Sequence, residues 1–292
     1  MSDNGKIRVA LPKGRMESGV LALLADAGIR VRASSRGYRP EVLLPGAEGQ
    51  VTAKVLKPQN IVEMLHAGSR DFGFAGADWV AELGVDVVEL LDTGLDPVRL
   101  VAAAPAESLV SGALPKRPLV VASEYEKLTK AWIAKRVIEA RFVKSFGATE
   151  VFPPEDADCI VDIAATGATL VANGLSIVDE LATSSTRLYA CPASMKDPAK
   201  RELAERLVML LKSVLEARKR VMLEVNVGPE KLEALVKILP CMREPTISSL
   251  HAGAGYAVKA AVPRSDLARL IPEIKRVGGT DLVVSGLSQI VP

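Results

Sequence analysis

Asp158-Cys159-Ile160-Val161-Asp162-Ile163-Ala164-Ala165-Thr166-Gly167-Ala168-Thr169-Leu170 is the stretch that decides how this chain is read. Its apolar first half reads as a buried strand; a turn of small and hydroxylated residues follows around a glycine, and then a helix begins. Strand, turn and helix in that order form the repeating unit of an α/β fold, whose ligands gather at the carboxyl ends of strands. Gly167 lets the backbone approach a ligand closely, Thr166 and Thr169 add hydroxyl donors, and Ala165 and Ala168 keep the mouth open. Backbone N–H groups presented in this way hold an anion without net charge. Asp158 and Asp162 flank the strand, where carboxylates suit the vicinal hydroxyls of a ribose or a hydrated Mg²⁺. A phosphate grip beside a diol grip points to a ribose phosphate. Taken alone, the same residues also read as a helix N-cap behind a buried strand, so context has to decide.

Upstream, the chain keeps the same grammar. Strands are expected at 7–11, 51–56, 72–75 and 87–90, with helices at 17–27, 60–67 and 78–83 between them. A second cycle has strands at 99–103, 119–122, 149–152 and 159–163, with a helix at 127–142. Further strands at 175–181 and 186–190 lead into a long helix at 198–217. This predicts a mainly parallel, helix-covered sheet in two α/β lobes with a ligand cleft between them. Downstream, strand 221–227, helix 230–239, strands 246–250 and 256–262, helix 266–276 and strand 281–284 give the βαββαβ order of a ferredoxin-like unit. The expected division is lobe I from 1–97 with 186–217, lobe II from 98–185, and a C-terminal unit from 218–292.

Composition narrows the function classes. At 292 residues, 49% of them hydrophobic, the chain can bury several cores. Lys+Arg 37 against Asp+Glu 35 gives a net charge of +2, too balanced to imply a basic track for nucleic acid or for an anionic membrane. The N-terminus enters a strand without a signal-like apolar segment, and no apolar run is long enough to span a bilayer, so a cytoplasmic location is expected. Cys159, Cys191, Cys241, His66 and His251 are scattered, without metal-ligand or disulfide spacing. Cys159 lies in an apolar run and reads as a buried thiol rather than a nucleophile.

Two further turns fit an anionic ligand. Leu11-Pro12-Lys13-Gly14-Arg15 follows the first strand, with Lys13 as a point charge and Arg15 as a fork for phosphate or carboxylate. Asp71-Phe72-Gly73-Phe74-Ala75-Gly76 ends a strand in glycine at a helix start. The bland readings are a solvated basic turn and a glycine that permits close packing.

These segments in this order, with Gly147-Ala148-Thr149-Glu150-Val151 and the tail Thr166 to Leu175, resemble the ATP phosphoribosyltransferase family over essentially the whole chain. Arg243-Glu244-Pro245-Thr246-Ile247 and Gly278-Gly279-Thr280-Asp281-Leu282-Val283-Val284 resemble the regulatory domain of its long form. The resemblance implies a two-lobed, periplasmic-binding-protein-like catalytic region with an ACT-like, ferredoxin-like regulatory domain. It implies transfer of the 5-phosphoribosyl group of phosphoribosyl pyrophosphate to N1 of ATP, the opening step of histidine biosynthesis. Mg²⁺ as cofactor, AMP or ADP as further ligands, inhibition by histidine, and dimers and hexamers without a separate regulatory subunit follow from it too.

Carried over by motif, Asp158 and Asp162 meet the ribose and, directly or through water, the metal, while Ala165 to Thr169 meet the 5′-phosphate. Leu11, Lys13, Gly14, Arg15, Lys57, Asp71 and Gly76 belong to the nucleotide or pyrophosphate side, and Asn226, Thr246 and Asp281 to histidine. Two residues depart from the family pattern. Lys57 stands where Arg is usual, and an ammonium cannot reproduce a bidentate contact. Ala165 stands where Glu or Ser is common. A two-lobed solute-binding protein and a regulatory subunit without catalysis are the competing classes.

Overall fold

The computed structural model describes residues 6–32, 37–47 and 49–291, so the leader reading of Met1 to Gly5 lies outside the described residues. The chain divides into two compact units, one ending at Glu205 and the other starting at Arg206. No described helix is long and apolar enough to cross a membrane.

The first unit runs β1 (Ile7–Pro12), α1 (Glu17–Asp26), β2 (Arg30–Arg32), β3 (Glu41–Leu43), β4 (Val51–Leu56), α2 (Pro58–His66), β5 (Phe72–Gly76) and α3 (Ala77–Leu83). It continues with β6 (Val88–Pro105), β7 (Leu119–Ser123), α4 (Glu126–Arg136), β8 (Ala140–Lys144), β9 (Cys159–Ala164), α5 (Ala168–Ala172), β10 (Leu175–Ala190) and the start of α6 (Pro198–Lys219). Eight strands form one sheet in the order β4-β1-β5-β10-β6-β9-β7-β8.

The sheet is mixed rather than mainly parallel. β1, β4 and β5 run parallel, as do β7, β8 and β9, but β10 is antiparallel to both β5 and β6, and β6 is antiparallel to β9. The strands expected at 87–90 and 99–103 are one strand, β6, and those at 175–181 and 186–190 are one strand, β10. These two long strands serve both lobes. Around their outer halves lie separate apolar clusters, one holding Ala10, Ile61, Leu65 and Ala75, the others holding Leu100, Val121, Trp132 and Val161, and Val101, Ile160 and Leu170.

Local readings changed in three places. The helix expected at 127–142 stops at Arg136, because Val137 takes left-handed backbone (φ 55) and the chain beyond pairs in parallel with β7. The strand expected at 149–152 is a 3₁₀ turn, tied by a 2.7 Å bond between the Ser145 and Thr149 hydroxyls. The short pair β2–β3 was not foreseen.

In the second unit, β11 (Arg220–Val227), α7 (Leu232–Ile238), β12 (Thr246–Ser249), β13 (Tyr256–Pro263), α8 (Leu267–Arg276) and β14 (Thr280–Gly286) make an antiparallel sheet in the order β12-β13-β11-β14. That is the ferredoxin-like arrangement. Val221, Leu223, Val225 and Val227 alternate along β11 and pack under Leu235, Leu270 and Ile274 from the two helices.

Candidate active site

The register of the long strands positions the site. Gly76, the carboxyl end of β5, lies opposite Thr186 of β10. Ala164, the carboxyl end of β9, lies opposite Arg99 of β6, which is itself opposite Thr183. Carboxyl ends from both lobes therefore open within a few residues of one another, midway along the two shared strands.

On the lobe II side, Asp162, Ala165, Thr166, Gly167, Ala168 and Thr169 line one pocket of about 260 Å³, together with Glu150. Gly167 adopts φ +81, the left-handed region that a side chain rarely enters, which bends the chain from β9 into α5. The Ala168 N–H is turned onto the Thr166 hydroxyl at 3.3 Å. Leu170 is buried and anchors the loop from beneath, while Thr166 and Thr169 are exposed. Burial pushes the Asp162 carboxyl up to about 6; its bond from the Ile163 N–H opposes the rise, and the nearby Glu150 and Glu124 charges add to it. Sequence reading did not mark Glu124 or Glu150 as partners of Asp162, since only the fold brings these turns together.

Asp158 is not in this pocket. It lies four residues before Asp162, roughly 13 Å away along an extended chain. Its carboxylate accepts bonds from the Arg117 guanidinium (2.7 Å) and the Val120 N–H (2.7 Å). It ties the starts of β7 and β9 outside the loop pocket. Cys159 is fully buried, and burial raises its thiol to about 12, so it behaves as an apolar packing group.

On the lobe I side, Lys13, Gly14 and Arg15 leave β1 at the same edge of the sheet, and Lys57 leaves β4 there, exposed at the start of α2. Gly14 adopts φ +85. The Lys13 ammonium sits 5.1 Å from the centre of the Tyr38 ring and 3.2 Å from its hydroxyl. Arg15 reaches the Asp96 carbonyl of β6 at 2.7 Å. Leu11 is buried and lines an apolar hollow with Val20 and Val55 rather than a polar mouth. From β1 to β9 the sheet spans four strand spacings, roughly 19 Å.

Asp71 contradicts the ligand role expected of it. It is fully buried at the opposite end of β5, and its two oxygens accept five bonds, from the Arg8 N–H, Nε and Nη2, the Ser194 hydroxyl and the Lys200 ammonium. Burial alone would raise this carboxyl; the donors from Arg8, Lys200 and Ser194 outweigh it and hold the group well below the usual range. No lone pair is left for a ligand. Gly76 is buried as well, and a Cβ there would run into the Asp78 carboxylate, so its glycine makes room for a neighbour.

In the C-terminal unit, the Asn226 amide donates to Asp281 at 3.1 Å across β11 and β14. Thr246 is two strands away on β12, in a hollow of about 380 Å³ with Met222, Cys241, Arg243 and Glu244. The three residues expected around histidine are thus one pair and one outlier within this chain.

The family model described as ATP phosphoribosyltransferase matches residues 57–213, and that of its C-terminal domain matches 217–289. The ATP phosphoribosyltransferase of Pelodictyon phaeoclathratiforme is 34% identical over 99% of both chains. That of Pelotomaculum thermopropionicum is 34% identical over 98% of this chain and all of its own. The solved ATP phosphoribosyl transferase HisG:HisZ complex from Thermotoga maritima contains a chain with a TM-score of 0.63 and 26% identity, covering 72% of this chain and 98% of that one. This chain belongs to the ATP phosphoribosyltransferase family and is a transferase of the first step of histidine biosynthesis.

Proposed function

We propose that the 5′-phosphate of phosphoribosyl pyrophosphate sits in the loop from Ala165 to Thr169, with Asp162 facing the ribose. The adenine nucleotide and the departing pyrophosphate face Lys13, Gly14, Arg15 and Lys57. The observation that carries this reading is the pocket that gathers Asp162 and the loop at the carboxyl edge of β9. The expected lobes, 1–97 with 186–217 and 98–185, then divide the substrates between them, with the phosphoribosyl end on lobe II and the nucleotide on lobe I. Adenine N1 supplies its own electron pair to C1 of the ribose while the C1–O bond breaks and its electrons leave with pyrophosphate. No residue has to strip a proton from the nucleophile, so alignment and charge are what the chain contributes. Ionised Asp162 favours the positive charge that develops on the ribose ring.

No cluster of three metal-ligating side chains occurs among the described residues. A pocket with Asp162 and Glu150 but no closed cage suits Mg²⁺, which keeps water and phosphate oxygens and takes one or two carboxylates. Bound there, it would neutralise pyrophosphate charge. The C-terminal unit is the histidine sensor in this reading, with Asn226 and Asp281 as one contact and Thr246 contributing from elsewhere. The solved Thermotoga maritima chain matches 72% of this chain, which leaves room for a built-in sensor in place of a separate subunit. A cytoplasmic homo-oligomer, dimer or hexamer, is the corresponding assembly.

The test is pyrophosphate release from ATP and phosphoribosyl pyrophosphate by the full chain with MgCl₂, with and without histidine. Thr169→Ala is expected to raise KM for phosphoribosyl pyrophosphate about tenfold in a folded protein, the scale of one lost hydrogen bond to a charged group. An unchanged KM would remove the loop from the site. Histidine inhibition that survives Asn226→Ala undiminished would remove that residue from the sensor.

A further inference from the structure

Among the described strands, only β6 and β10 run through both lobes, and both are irregular where they cross. The register slips between Ser184 and Thr186 and again between Thr186 and Arg187, while β6 turns through left-handed backbone at Gly94 (φ 64) and Asp96 (φ 47). A ladder broken in this way bends and twists locally. By itself it sets the separation between the phosphate loop and the basic turn only loosely.

The short helix α3 supplies a second connection. It leaves β5 in lobe I, yet its side chains meet the turn between β7 and α4 in lobe II. The Tyr125 hydroxyl donates to one oxygen of Asp78 at 2.6 Å, and the other oxygen accepts the Ser184 hydroxyl of the crossing strand at 2.5 Å. The Asp78 N–H donates back to the Ser184 oxygen at 3.1 Å. One turn further along, Glu82 accepts the N–H groups of Lys127 and Leu128 at 2.9 and 3.0 Å, closing the first turn of α4. Between them the Trp79 ring lies on the Tyr125 ring, centroids 4.6 Å apart, and packs against the apolar clusters of both lobes. Asp78, Glu82, Ser184 and Tyr125 are all buried.

Two buried carboxylates are a poor choice if the aim is adhesion alone, because apolar packing of the same volume avoids their desolvation cost. They are a good choice for fixing one geometry, since a buried bonded network tolerates little displacement. Burial, and after it the Asp78 charge, push the Tyr125 phenol far above its usual range, so it remains a donor wherever the protein is folded.

We propose that Asp78 and Tyr125 are positioning residues for the transfer: they strap α3 to lobe II and hold the phosphate loop at the reach of the lobe I basic turn. Neither touches a substrate. The proposal rests on the division of substrates between the lobes given above.

The experiment compares full-length Tyr125→Phe and Tyr125→Phe/Asp78→Asn with the parent chain. It measures kcat, the affinity for phosphoribosyl pyrophosphate alone by calorimetry, and the thermal midpoint. The single variant keeps the Trp79 stack but leaves the Asp78 charge short of a donor. It is expected to bind phosphoribosyl pyrophosphate within about twofold of the parent while kcat falls about tenfold to a hundredfold, the cost of an ångström of misalignment. The double variant removes the stranded charge without restoring the strap. It is expected to regain thermal stability but not kcat, and it carries the test alone if the single variant does not fold. Recovery of kcat with stability would overturn the proposal, as would a loss of affinity in step with kcat. Thr169→Ala measured in parallel separates the two readings: undiminished affinity there would overturn the site assignment, and this proposal with it.

Discussion

Replacing Asp162 by Asn tests the electrostatics of the pocket most directly. The Asp162 carboxyl rises from an ordinary 3.8 to about 6 in the folded chain. That is about two units, which at about 1.4 kcal/mol per unit corresponds to about 3 kcal/mol of destabilisation carried by the ionised native form. Because the native value lies above the unfolded one, the folded protein holds this proton more tightly. Below about pH 4 the group is neutral in both states and costs nothing. As pH rises from about 4 to about 6 the penalty develops, and above about pH 7 it is constant. An Asn at this position can still accept the 2.7 Å bond from the Ile163 N–H, so little else changes. Both tryptophans, Trp79 and Trp132, lie in the first unit, so urea unfolding followed by their fluorescence reports on that unit alone. Asp162→Asn and the parent are expected to coincide near pH 4 and to diverge by up to about 3 kcal/mol at pH 7.5, with the variant more stable. Turnover falls in the same variant, the usual exchange of stability for function at a strained site. A stability difference independent of pH, or a less stable variant at pH 7.5, would refute the reasoning.

Two further substitutions probe the scaffold. Asp71→Asn strands the donors of Arg8 and Lys200 and is expected to cost about 3 kcal/mol at pH 7. Because the native carboxyl is held below its unfolded value, that cost shrinks as pH falls below about 4, which thermal midpoints at neutral and acid pH would reveal; a constant cost would contradict it. Gly76→Ala drives a Cβ into the Asp78 carboxylate and is expected to destabilise by about 1–3 kcal/mol and to lower kcat. A variant with parental melting and turnover would show that Asp78 moves freely.

The parts legible in the sequence are those set by local pattern. Cys159 to Ala164 and the turn at Gly167 announce a strand and a bend through β-branching and a residue free to take positive φ. The alternating valines of β11 announce a half-buried strand in the same way. What escaped depends on partners far along the chain. Residues 137–142 carry spacing compatible with a helix, and only β7 converts part of them to strand. Asp158 and Asp162 look equivalent as letters, but a strand places them at opposite ends, one against Arg117 and one at the pocket. Nothing in the letters preceding β5 shows that Asp71 will meet Arg8, Ser194 and Lys200 in the interior. The mixed sheet was missed for the same reason, since strand direction is a matter of connection rather than composition.

The two shared strands also govern the order in which the chain assembles. β5 completes its hydrogen bonding only when Phe72 to Gly76 meet Thr186 to Ala190, after everything between them has been synthesised. The pairing of β6 with β9 and with the first half of β10 spans somewhat shorter loops, so it closes at slightly lower entropic cost. The returning half of β10 therefore reaches a β5 that β1 can already pair on its other side. The N-terminal lobe, made first by the ribosome, is finished last. During that interval its unpaired edge is the segment of the molecule most exposed to mispairing.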